Sequence, residues 1–141
     1  MLQITPVEVW VAPVEDRPGG LAAALAPLST AGADLEFISA RRVPDRPGEG
    51  LVYIAPLEGR KQIDAARRAG FREAEIGMLR VEGPDSPGLA VALAHELLAA
   101  EDVSIRDASG VAIRRHCVLY LAFDTPQVAQ RAAELLLQAQ V

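Results

Sequence analysis

Twice along the chain, a run of alternating apolar residues gives way to apolar residues at helical spacing. Val7-Glu8-Val9-Trp10-Val11-Ala12 is β-branched and aromatic and predicts a first strand. Leu21, Leu25 and Leu28 follow at i, i+4 and i+7, one apolar stripe on a helix that takes Pro18 in its first turn and Gly32 at its end. Leu35 to Ala40 reads as a second strand running on to Val43. Leu51 to Ala55 reads as a third, returning from the turn-rich segment Pro44 to Gly50. Arg60 to Ala69 predicts a second helix through Ile63, Ala66 and Ala69, closed by Gly70, and Phe71 to Ile76 a fourth, more polar strand. The order is β-α-β-β-α-β.

The order then begins again. Gly77 to Val81 reads as a strand, Ser86 as an N-cap with Pro87 at the first helical position, and Leu89, Leu93 and Leu97 as one helical face. Val103 to Ala112 and Cys117 to Phe123 predict a hairpin turning at Arg114 and Arg115. Thr125 caps, and Pro126 opens, a last helix carrying Val128, Ala132, Leu135 and Leu136. No fourth strand is visible in this half, so its sheet edge is expected to lie bare.

A short segment marks the repeat. Asp16-Arg17-Pro18-Gly19-Gly20-Leu21 returns, one glycine shorter, as Asp85-Ser86-Pro87-Gly88-Leu89, the two aspartates 69 positions apart in a chain of 141. A duplication with this period divides the chain into domains 1–76 and 77–141, each marginal in size, joined without a linker through Phe71 to Val81. The element order is the split βαβ, or ferredoxin-like, arrangement. It predicts an α+β protein of two βαββαβ repeats, each an antiparallel sheet with helices on one side, the second lacking a clear last strand. That fold alone implies no function.

Composition narrows the classes. There are 14 Lys+Arg against 19 Asp+Glu, a net charge of −5, the wrong sign for displacing counterions from nucleic acid. Aromatic residues make up 4%, too few for an RNA-stacking sheet. The single cysteine, Cys117, forms no intrachain disulfide and suits a reducing compartment. No run approaches the roughly 20 apolar residues of a membrane span, and Val7 to Val14, interrupted by Glu8 and Pro13, is too short for a signal peptide. A cytoplasmic protein is expected.

Catalysis is not. His95 lies within a helix, and His116 adjoins Cys117 on a strand, where neighbours point to opposite faces. Gly48-Glu49-Gly50 lacks the Lys-Ser/Thr of a phosphate loop. No metal or cofactor is expected. Arg41-Arg42 and Arg114-Arg115 sit near the hairpins of both halves; they could meet an anionic ligand or partner, but read better as solvated hairpin ends, and Trp10 and Tyr53 read as packing residues.

The aspartate, variable residue, Pro-Gly and leucine at a strand-to-helix turn resemble the ACT domain, a small amino-acid-binding regulatory module. Ala31-Gly32-Ala33-Asp34-Leu35, and more loosely Glu101-Asp102-Val103-Ser104-Ile105, are similar to that family's step from the first helix into the second strand. The resemblance covers nearly the whole chain and implies a tandem, stand-alone, non-catalytic ACT protein. It implies an effector amino acid bound where the loop after the first strand meets a neighbouring domain's second strand. Carried onto this chain, the implied ligand-binding residues are Asp16, Arg17, Pro18, Gly19, Gly20, Leu21 and Asp34 in the first copy. In the second they are Asp85, Ser86, Pro87, Gly88, Leu89 and Ser104. It also implies side-by-side pairing into a homodimer and a regulated protein the sequence does not identify.

The residues make a zwitterion a natural guest. Glycine lets a ligand approach the backbone, a helix start offers unpaired N–H groups to an α-carboxylate, and an aspartate accepts from an α-ammonium. The first loop is expected to be the stronger receptor. Gly19-Gly20 frees more backbone than Gly88-Leu89, Arg17 adds a charge-assisted contact, and Glu101-Asp102 places negative charge near the second site. The alternative is a protein-interaction subunit that binds no small ligand, both turns serving only to start helices.

Overall fold

The computed structural model describes residues 2–89, 92, 98–99 and 101–139. The chain opens with a strand, β1 (Gln3–Val7), but the next strand, β2 (Trp10–Glu15), lies in a different sheet. The run Val7 to Ala12 is therefore not one strand. It breaks at Glu8 and Val9, where the chain passes between its two compact units, residues 8–74 and residues 1–7 with 75–141.

The unit 8–74 continues with α1 (Gly20–Thr30), β3 (Phe37–Arg42), β4 (Glu49–Ala55), α2 (Gly59–Arg68) and β5 (Arg72–Glu73). Its sheet has the order β3-β4-β2-β5, every neighbouring pair antiparallel. Alternation decides what the sheet buries: Trp10, Ala12, Val52 and Ile54 share one face and pack with Leu25 and Leu28 of α1 and Ile63 and Ala66 of α2. Trp10 is a core residue, with the Arg67 guanidinium 5.6 Å from its ring centroid. The fourth strand is only two residues long, because Phe71 is drawn into the core rather than into a ladder.

The other unit holds β6 (Gly77–Pro84), a helical segment that includes Leu89, Ala92, Leu98 and Ala99, then β7 (Asp107–Ile113), β8 (His116–Phe123) and α3 (Pro126–Gln138). Leu93, Leu97 and His95 lie outside the described residues. Leu79, Val81, Leu121 and Phe123 pack with Leu98, Ala132 and Leu136. β7 begins at Asp107 rather than Val103, since Val103 serves the core from the connection. Thr125 caps α3 as expected, its Oγ1 accepting from the Val128 N–H at 3.1 Å, with Pro126 opening the helix.

The sheet order here is β1-β6-β8-β7: no strand follows α3 among the described residues, as expected of the second repeat, but the edge expected to lie bare is filled by β1 from the start of the chain. β1 pairs antiparallel with β6 from Gln3↔Glu82 to Val7↔Met78, and Leu2 and Ile4 pack against this unit's core. The N-terminal strand takes the place that β5 takes in the first sheet and supplies the ladder partners β6 needs, so the expected bare edge is covered. The same pairing moves residues 1–7 out of the first half, and the division falls at 7/8 and 74/75 rather than at 76/77.

Each sheet thus has the ferredoxin-like order, second strand, third, first, fourth. The fold is α+β, with two four-stranded antiparallel sheets and three helices among the described residues. No helix among them is long and apolar enough to cross a membrane.

Candidate functional site

The two Asp-x-Pro-Gly turns share three backbone hydrogen bonds. In the first, the N–H of Asp16 donates to Gly48 O, that of Gly20 to Arg17 O and that of Ala23 to Gly19 O, each at 3.0 Å. In the second, Asp85 donates to Arg115 O at 2.7 Å, Leu89 to Ser86 O at 3.1 Å and Ala92 to Gly88 O at 2.9 Å. Gly19 (φ 82°) and Gly88 (φ 78°) both take the left-handed region that favours glycine. The turns match residue for residue, with Gly20 opposite Leu89, so no glycine is missing from the second copy. The prolines lie in the turn itself, and Gly88, not Ser86, stands directly before helical backbone.

Gly20 has a packing role, contrary to the expectation that it frees backbone for a ligand. A Cβ there would lie 2.1 Å from Glu15 O, and its N–H is already spent on Arg17 O. Because Gly19 has no side chain to cap α1, helix geometry leaves the N–H groups of Leu21 and Ala22 without an intrahelical acceptor.

Those groups start the helix beside an open cavity of about 220 Å³. Its apolar lining comes from Val14, Leu21, Ala40 and Gly50, and its charged lining from Glu15, Asp16, Arg17, Arg41 and Arg42. The charges are largely paired. Arg42 Nε lies 2.9 Å from Asp16 Oδ2, Arg17 Nε bonds Glu15 Oε2, and the Arg41 guanidinium sits 5.5 Å from the Tyr53 ring centroid. The Arg42 side chain is 82% exposed, Asp16 only 33%.

Of the first-copy residues expected at a site, Asp16, Arg17 and Leu21 line this cavity, while Pro18, Gly19 and Gly20 build the turn behind it. Asp34 does not join them: it is exposed in the connection before β3, at the opposite end of that strand from Arg42. Gly50 and Ala40 were not anticipated, and Arg42 was read first as a solvated hairpin end. They arrive through strand register, Gly50 standing between Val14 of β2 and Arg42 of β3.

Register also identifies their counterparts. Cys117 stands between Gly83 of β6 and Ala112 of β7, so Cys117 replaces Gly50, Gly83 replaces Val14 and Ala112 replaces Arg42. Arg114 and Arg115 are not the partners of Arg41 and Arg42. They form the tight turn of the hairpin, with φ of 49° and 67°. Asp85 therefore has alanine where Asp16 has arginine. The Cys117 thiol is buried, and desolvation, followed by the nearby Asp85 carboxylate, raises its pKa above the ordinary thiol value. His116, on the other face of β8, is exposed, its Nε2 3.5 Å from Glu82 Oε2. Ser104 is exposed in the connection before β7.

No protein-family model and no curated protein sequence matches the chain. Solved structures do match its fold. A protein from Bacteroides thetaiotaomicron is similar at a TM-score of 0.75 and 14% identity, over 93% of this chain and 88% of that one. The ligand-free regulatory subunit of aspartate kinase from Thermus thermophilus matches at 0.62 and 12% identity, over 98% and 95%. E. coli aspartokinase III in complex with lysine and aspartate matches at 0.50 and 13% identity, over 95% of this chain and 32% of that one. The chain shares its fold with these structures.

Proposed function

We propose that this chain is a tandem ACT-like regulatory protein, without catalysis of its own, that binds a free amino acid in the cavity of its first copy. One observation carries the reading: Asp16 and Leu21, a residue of the first turn of the uncapped helix α1, line the same cavity of about 220 Å³. That volume lies below the roughly 300 Å³ lower end of drug-sized pockets and suits a guest of amino-acid size. The Asp16 carboxylate accepts from the guest's α-ammonium, and the Leu21 N–H donates to its α-carboxylate. A regulatory aspartate kinase subunit of the same fold, and an aspartokinase solved with lysine and aspartate, support the assignment by likeness.

The second turn has the same backbone without the arginine, so Asp85, Ser86, Pro87, Gly88 and Leu89 serve to start a helix. We assign the protein to the cytoplasm and read it as a homodimer. The expected ground for pairing, a bare edge on β6, is gone. The edge strand β7 now supports it, with Val111 and Ile113 54% and 63% exposed. A regulated enzyme is the further partner.

Thermal melts against the twenty amino acids test the reading. A ligand at about 100 times its Kd adds about 2.7 kcal/mol of stability. A flat response across all twenty favours the interaction subunit that binds no small molecule, and a single-chain mass by light scattering overturns the dimer.

A further inference from the structure

We infer that the exposed face of α2, formed by Arg60, Lys61, Arg67 and Arg68, docks an acidic segment of a partner protein. This face lies outside the cavity and acts whether or not an amino acid is bound there. The two sides of α2 differ. Ile63 and Ala66 pack on the core of the sheet and Ala65 is also buried, whereas Arg60, Lys61, Asp64, Arg67 and Arg68 are all exposed. At about 100° per residue the four cations share an arc of about 120° around Asp64. A helix of 10 residues thus carries four positive charges and one negative, in a chain whose net charge is −5.

The fold does not account for these charges. Arg60 and Lys61 stand in the first turn, where the helix dipole makes positive charge unfavourable, and no acidic residue stands in that turn. Among the described residues the ion pairs take up Arg17, Arg42, Arg46, Arg80, Arg106 and His116; none involves a cation of α2, or Asp64. The Arg67 guanidinium lies 5.6 Å from the Trp10 ring centroid, which anchors it without neutralising it. The second unit supplies the control. There α3 (Pro126–Gln138) holds the corresponding place after the hairpin, and its 13 residues carry one cation and one anion, Arg131 and Glu134. Arg131 Nη2 donates to Glu101 O at 3.2 Å. A helix in this place need not be cationic, and a locally unfavourable cluster that the fold does not require marks a binding surface.

The same face selects its occupant. It has no apolar side chain to enter a bilayer, since Ile63 and Ala66 face the sheet. It has no aromatic side chain for base stacking, and the net charge of −5 opposes a long polyanion. An acidic protein segment acts over about one Debye length, roughly 10 Å, and meets the cations alone. Arg60 and Arg67, like Lys61 and Arg68, stand seven positions apart, which puts two pairs of cations about 10 Å apart along the helix. A helix with two adjacent glutamates repeated after seven positions matches that spacing, and the planar fork of arginine suits carboxylates.

Fluorescence anisotropy of the full chain with a labelled helical peptide of that design tests the inference. The comparisons are the same peptide with glutamine in place of glutamate, a peptide of equal charge with its four glutamates contiguous, and a labelled duplex oligonucleotide. Co-sedimentation with phosphatidylserine vesicles adds the lipid arm. We expect the paired peptide to bind about tenfold or more tighter than its glutamine version, more tightly than the contiguous one, and more weakly as salt rises. The triple variant Arg60→Gln, Lys61→Gln, Arg68→Gln should lose this binding while its melting temperature holds or rises, because two cations have left the first turn. Equal binding of the glutamate and glutamine peptides, or binding that survives the triple variant, overturns the inference. So does a lowered melting temperature, which would show that the cations serve the fold. Tighter capture of the oligonucleotide or the vesicles overturns the choice of a protein partner, and equal binding of the contiguous peptide overturns the two-pair spacing. None of these outcomes bears on the cavity, which the amino-acid melts read separately.

Discussion

Gly50 and Cys117 hold the same position in two sheets of the same design. Gly50 faces Val14 and Arg42; Cys117 faces Gly83 and Ala112. The exchange is compensated, since the copy that gains a side chain on its third strand loses one on its first. Gly50→Ala has no such compensation, because the added methyl meets a backbone oxygen at 2.9 Å. We expect a cost of about 1–3 kcal/mol and a marked loss of ligand-induced stabilisation. Melts with and without ligand check both. Full retention of the ligand response in Gly50→Ala would show that the cavity is not the binding site.

Gly19 and Gly20, adjacent in the turn, separate two reasons for glycine. Gly19 has nothing within 4 Å of a built Cβ but a φ of 82°, so alanine there costs about 1–2 kcal/mol in backbone strain. Gly20 has ordinary dihedral space but a carbonyl 2.1 Å from its missing Cβ, and Gly20→Ala must move the Glu15 backbone, at about 3 kcal/mol. Urea denaturation should rank Gly20→Ala as the worse of the two. The reverse order would mean that conformation, not contact, fixes this turn.

Much of this architecture was legible in the chain and some was not, for a physical reason in each case. The repeat order showed because each core-facing strand alternates and each helix carries one stripe, as at Trp10, Ala12 and Leu25, Leu28. β1 did not show: Gln3-Ile4-Thr5-Pro6-Val7 is a short edge strand carrying a proline, and Val7-Glu8-Val9 continues into β2 with the alternation of a single strand. Asp16, Arg17 and Leu21 were legible because the turn repeats within one stretch of sequence. Arg42 and Gly50 were not, because pairing across strands sets the offset between copies. That offset is 69 from Asp16 to Asp85, 70 from Arg42 to Ala112 and 67 from Gly50 to Cys117, and a single sequence shift cannot find all three.

The Cys117 thiol makes a pH prediction. Its pKa is raised in the folded chain, so between the unfolded and folded values the unfolded state has lost a proton that the folded state keeps. Stability from this group is whole below the unfolded value, about pH 8.5, and declines as pH rises through the folded one. Cys117→Ala loses packing at neutral pH but not this alkaline decline. The stability gap between the parent and Cys117→Ala should therefore narrow from about pH 7 to about pH 10. A gap constant across that range would mean that the thiol ionises as freely folded as unfolded.

The placement of β1 makes the sharpest structural prediction, because residues at the start of the chain hold a sheet built from its second half. Five residues of β1 pair with Met78 to Glu82, and Ile4 packs on the core of Leu79, Val81 and Phe123. Ile4 is half-buried, so Ile4→Ala should cost about 1–2 kcal/mol, below the range for a fully buried isoleucine. Deleting residues 2–7 should do more. It exposes the edge of β6 as a row of unpaired backbone groups, a template for association. Hydrogen exchange should then show amides of β6 losing protection while those of β2 and β4, paired only within residues 8–74, keep theirs. Light scattering should report a concentration-dependent rise in mass above that of the parent. Unchanged protection in β6 after the deletion would show that the fourth strand of that sheet is dispensable. Equal loss in both sheets would show that the two units unfold together.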